Sequence, residues 1–113
     1  MHSVRETSIF TRRADALLTG GERDDLILTL SMDPKAGALI SGLGGIRKLR
    51  FAPEGRGKSG AFRVIYYVLD DDTPILALLL YGKNEQSNPT SDQRKRLLQA
   101  VEAFKQVARD HRH

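Results

Sequence analysis

Three strand-length apolar runs follow one another closely in this chain: Ile46–Ala52, Ala61–Leu69 and Pro74–Tyr81. The linkers between them, PEGRGKSG and DDDTP, consist of turn-forming residues. Links this short cannot hold the crossover that parallel neighbours need, so an antiparallel meander is expected. The third run is apolar on both faces, as suits a central strand. The first two alternate. In IRKLRF, Lys48 and Arg50 share a face with Ile46, while Leu49 and Phe51 point the other way. In FRVIYY, Arg63 shares a face with Ile65 and Tyr67.

Helical patterns flank the strands, which makes the fold class α+β. Residues 2–6 read as a short opening strand. A first helix is expected over Ser8–Leu18, stopped by Gly20-Gly21. A second is expected over Glu22–Met32, with Leu26, Ile27 and Leu30 at helical spacing and Asp33-Pro34 at its end. Residues 35–45 are glycine-rich and read as a loop. A last helix follows Asn88-Pro89, with Thr90 as N-cap and Gln93 at capping-box spacing. Its stripe is Leu97, Val101, Phe104 and Ala108. The helices are expected to cover the sheet face opposite the cations.

With 113 residues, the chain fits one domain spanning 1–113. It has no cysteine, which excludes disulfides and thiolate metal sites and fits a cytoplasmic location. No apolar run approaches the roughly 20 residues of a membrane helix, so no membrane partner is expected. The three histidines, His2, His111 and His113, lie at the chain ends, where catalytic groups are hard to preorganise. Gly57-Lys58-Ser59 is not a phosphate loop: Ala52 stands where that motif needs its first glycine, and a strand follows instead of a helix. Asp70-Asp71-Asp72 reads as a solvated hairpin turn, and neither metal nor cofactor is expected.

The formal charge of +4 is unevenly placed. Residues 42–63 hold six basic side chains (Arg47, Lys48, Arg50, Arg56, Lys58 and Arg63) against Glu54 alone. Such a block is the footprint expected for a polyanion; a solubilising charged face is the alternative.

The segments GLGGIRKLRF, GRGKSGAFRVIYY and LLLYGKNEQ come in that order with short spacings, after the lead-in SIFTRRADALL. In this the chain resembles the RelE/HigB toxin superfamily of bacterial toxin–antitoxin modules, in its HigB-like branch. The resemblance implies a small antiparallel meander with two N-terminal helices and a C-terminal helix packed on it. It also implies a type II toxin that cuts messenger RNA in the A site of the small ribosomal subunit. The chemistry so implied is metal-free attack of a 2′-hydroxyl on the neighbouring phosphate. The implied partner is a cognate HigA-like antitoxin with a helix-turn-helix DNA-binding domain.

By the same resemblance Arg63 is the catalytic arginine, with Lys48 as general base, Arg50 as phosphate ligand and Lys83 as a further catalytic cation. The family's late tyrosine has no match, because Pro89 and Thr90 occupy that region. Glu85 is taken as the substitute proton donor. Arg47, Arg56, Lys58 and Asn84 are the candidate RNA-binding residues. The same fold also serves toxins that act on DNA gyrase without such cations, so a non-catalytic binding module is the alternative function.

Overall fold

The computed structural model describes residues 2–56, 60–82, 85–86 and 88–111. Its elements are β1 (Val4–Glu6), α1 (Ser8–Leu17), α2 (Gly20–Met32), β2 (Ala38–Leu39), β3 (Ile46–Phe51), β4 (Phe62–Tyr67), β5 (Ile75–Gly82) and α3 (Ser91–Asp110). The α+β class follows directly. One five-stranded sheet runs in the order β1-β5-β4-β3-β2. The β3-β4-β5 meander is antiparallel, as the short linkers require.

Two features depart from the simple meander. β1 pairs parallel with β5, which makes the sheet mixed. β2 pairs with β3 inside the segment read as loop. Both residues of β2 are exposed, so no apolar alternation marks it in the sequence. Its turn into β3 carries Gly42, Gly44 and Gly45 at positive φ, where other residues are strained.

All three helices begin on a threonine. The Thr7 hydroxyl accepts from the Phe10 N–H and donates to the Leu78 carbonyl, so one side chain caps α1 and satisfies β5 beyond the end of β1. Thr19 with Glu22, and Thr90 with Gln93, form reciprocal capping boxes. The expected cap of α3 is thus present. Gly20-Gly21 does not act as a stop: with Thr19 as cap, both glycines lie in the first turn of α2.

The helices lie on both faces of the sheet, not on one. Phe10, Ala14, Leu26 and Leu30 of α1 and α2 pack with Phe51, Phe62, Val64, Tyr66, Ala77 and Leu80. Leu97, Val101 and Phe104 of α3 pack on the other side, with Ile46, Ile65, Tyr67, Leu76, Leu78 and Leu79. The reason is the second apolar surface. Fully burying one such side chain is worth ~1.5–3 kcal/mol, so wetting six would cost about as much as an ordinary domain's entire stability. α3 therefore shares a face with the cations and covers its apolar end. No helix among the described residues is long and apolar enough to cross a membrane.

Three glycines separate two kinds of constraint. A Cβ at Gly20 or Gly21 meets nothing within 4 Å. At Gly37 it would fall 2.8 Å from the Tyr66 hydroxyl and 2.9 Å from the Lys48 carbonyl. Gly20→Ala and Gly21→Ala are each expected to stabilise by about 0.4–1 kcal/mol through loss of unfolded-state freedom. Gly37→Ala is expected to destabilise by about 1–3 kcal/mol through overpacking. Denaturant melts of the three variants check this, and a Gly37→Ala variant as stable as the parent would contradict the packing described.

Candidate nucleic-acid interface

Strand register arranges the α3 face in three rows running across β3, β4 and β5. The first row, Ile46, Tyr67 and Leu76, is apolar. The second is Lys48, Ile65 and Leu79. The third is Arg50, Arg63 and Tyr81. Charge therefore rises from the end under α3 toward the other end of the strands. The expectation that alternation puts Lys48, Arg50 and Arg63 on one face holds.

A bulge completes the third row. Ile65 pairs with Leu79 and Tyr66 with Ala77, so Leu78 is an extra residue in β5. Simple alternation from Leu76 would put Leu80 on this face and Tyr81 on the opposite one. The bulge resets the alternation: Leu80 joins the α1/α2 core and Tyr81 comes beside Arg63. Sequence reading missed Tyr81 for this reason.

The third row is electrostatically unbalanced. Arg50 and Arg63 are directly opposed cross-strand partners, an arrangement that costs stability between like charges. Among the described residues, no carboxylate forms an ion pair with either. Arg50 is exposed. The Nη1 of Arg63 is buried and has no hydrogen-bond partner among the described residues. A desolvated guanidinium nitrogen without an acceptor is costly by itself and gains most from an anion. Burial pushes the Tyr81 phenol up from its ordinary pKa, partly offset by the charge of Arg63, so the hydroxyl stays neutral.

Lys48, one row back, donates from Nζ to the Asn88 Oδ1 at 3.0 Å, just before α3 begins. This contact ties β3 to the segment leading into that helix. Lys58, Lys83 and Asn84 lie outside the described residues.

Three other candidates serve the scaffold. Arg47 lies on the Tyr66 side of β3, and its Nη1 donates to the Gly37 and Lys35 carbonyls. The Tyr66 hydroxyl accepts from the Gly37 N–H at 2.8 Å, so both side chains hold the chain before β2. Arg56 binds Glu22 through two nitrogens, donates to the Leu17 carbonyl and stacks 5.3 Å from the Phe62 ring centroid. It braces the α1–α2 corner, away from the cationic row.

Glu85 is also engaged elsewhere. Its carboxylate takes both oxygens to Arg13 of α1, and Oε1 accepts from the Gly82 N–H at 2.9 Å. These contacts, the Gly82 amide first and Arg13 next, hold its pKa below the ordinary range. An acid kept ionised in this way fits an anchor better than a proton donor. Arg13 also donates to the Leu80 carbonyl, so α1 clamps the end of β5 next to the third row.

No protein-family model matches the chain.

Glu85 sets a pH dependence. A carboxyl with a lowered pKa in the fold stabilises fully above its ordinary value of about 4.3 and loses that contribution as pH falls through the lowered one. The clamp is expected to hold at neutral pH and to release in acid. Glu85→Ala is expected to speed Gly82 amide exchange at neutral pH. Unchanged exchange would contradict the clamp.

Proposed function

We propose that this protein is a toxin of a type II toxin–antitoxin module, a ribosome-dependent endoribonuclease that cleaves messenger RNA without a metal. One observation carries the reading: Arg50 and Arg63 stand side by side with no acid paired to either among the described residues, and one Arg63 nitrogen is buried without an acceptor. A stability role for this pair would call for an opposite charge. A phosphate supplies it.

The reaction follows from that chemistry. The RNA 2′-oxygen attacks the adjacent phosphorus, and its proton passes to the base, for which Lys48 with its amine unprotonated is the candidate. The bond from phosphorus to the 5′-oxygen breaks. The products are a 2′,3′-cyclic phosphate and a 5′-hydroxyl, the latter taking a proton from solvent. Negative charge builds on the non-bridging oxygens during attack. Cations already fixed at that point lower the barrier without reorganising. Arg63 offers two parallel donors to those oxygens, and Arg50 helps hold the strand.

The partners on this reading are the small ribosomal subunit at its A site, the message within it, and a HigA-like helix-turn-helix antitoxin that keeps the toxin in check. The cations also separate this reading from a gyrase-binding module, which has no need of them.

Purified protein added to a translating extract is expected to cut the message and leave naked RNA and gyrase supercoiling unaffected. Arg63→Ala is expected to lower cleavage by about 100- to 1,000-fold, as for loss of one transition-state donor. Primer extension on the message measures both. Full cleavage by Arg63→Ala would remove Arg63 from the mechanism. Inhibition of supercoiling without cleavage would favour the binding module.

A further inference from the structure

Asn88 joins the start of α3 to the cationic face, and a chain of hydrogen bonds holds it there. Its Oδ1 accepts from the Lys48 Nζ at 3.0 Å. Its backbone carbonyl accepts from the Gln86 Nε2 at 3.0 Å, and the same nitrogen donates to the Gln93 Oε1 at 2.7 Å. That Gln93 oxygen also accepts from the Thr90 N–H at 2.9 Å, which is one half of the capping box of α3. Pro89 is buried, and a proline narrows the backbone choices of the residue before it. The helix beyond is fixed in turn by Leu97, Val101 and Phe104 in the core. A firmly seated helix end thus presents an amide oxygen to the Lys48 amine. The capping box uses Thr90 and Gln93 and leaves the Asn88 side chain out, so the hold on Lys48 is not a by-product of capping.

We propose that Asn88 is a positioning residue for Lys48: its Oδ1 steadies the amine beside the phosphate site while the amine takes the 2′-hydroxyl proton. The inference rests on the nuclease reading for its kinetic consequence, but not for the contact itself. Lys48 lies one row from Arg50 and Arg63 on the same face, opposite Ile65. A lysine amine on its flexible stem swings widely unless something holds it. An unprotonated amine still has N–H groups to donate, so giving one to a fixed oxygen anchors it and leaves the lone pair for the incoming proton. Once the proton arrives, the ammonium keeps that bond, and the bond strengthens because the donor is now charged. The Asn88 oxygen therefore favours the charge that builds on Lys48 during attack. Asn88 need not be the sole contact of the amine to act in this way.

The test uses Asn88→Ala, which removes the acceptor and keeps both partners of the capping box. Carbon-13 relaxation of the lysine ε-methylenes at neutral pH reads positioning without any activity. Motion of the Lys48 ε-methylene is expected to quicken at least severalfold in Asn88→Ala. Lys105, which pairs with Glu102 further along α3, is the internal control and keeps its parental motion. The melting temperature is expected to stay parental. In the translating extract, Asn88→Ala is expected to lower the maximal cleavage rate by about 10- to 100-fold with ribosome binding unchanged. In a Lys48→Ala background it should cause no further loss. Unchanged Lys48 motion, or parental cleavage by Asn88→Ala, would overturn the proposal. So would equal losses in the parent and Lys48→Ala backgrounds, or a loss of cleavage that tracks a lowered melting temperature. A parent protein that never cleaves, together with quickened Lys48 motion in Asn88→Ala, would overturn the nuclease reading and support the hold of Asn88 on Lys48.

Discussion

Burial of β5 on both faces governs the rest of the molecule. From Ile75 to Tyr81 every residue is buried, and the strand carries no charge. Such a strand needs backbone partners on both edges and cover on both sides. β4 supplies one edge, and β1 returns from the N-terminus to supply part of the other. Where β1 ends, Thr7 and Arg13 take over the carbonyls of Leu78 and Leu80. The two helix layers follow, with α1 and α2 on one side and α3 on the other.

That arrangement decides where charge can stand. α3 closes over Ile46, Ile65 and Tyr67, and polar side chains there would be buried without partners. The cations are confined to the rows beyond, at Lys48 and then at Arg50 and Arg63. The same scaffold clamps the neighbourhood from behind. Arg13 and Glu85 fix the end of β5, Arg56 braces α1 against α2, and Arg47 holds the chain before β2. Basic side chains thus divide by face: those on the α1/α2 side are spent on carbonyls and carboxylates, while Arg50 and Arg63 have no carboxylate paired to them among the described residues. On the proposed reading, this division separates a rigid support from a surface that grips RNA.

Much of this is legible in the sequence. The meander follows from its short linkers, and the shared face of Lys48, Arg50 and Arg63 follows from period-two alternation within β3 and β4. The cap of α3 is readable from Thr90 and Gln93. The remainder depends on contacts between distant residues. The pairing of Val4 with Ile75 leaves no local trace, nor does the bond of Gly37 to Tyr66. The Leu78 bulge is silent inside a run of leucines, and it hides Tyr81. The charge block around Arg56 is visible as composition, but a count of cations cannot tell a free guanidinium from one bound to Glu22. Gly20-Gly21 misleads because glycine marks helix ends in general, while the Thr19–Glu22 box decides this case.

On the proposed reading, RNA is held at the Arg50–Arg63–Tyr81 row. Backbone and arginine side-chain NMR with a short RNA added off the ribosome tests this most directly, because naked RNA is bound there without being cut. The account predicts the largest shifts at Arg50, Arg63, Tyr81 and Lys48, shrinking as salt rises. Shifts centred on the α1/α2 side, at Arg47, Arg56 and Glu22, with Arg63 unmoved, would contradict it.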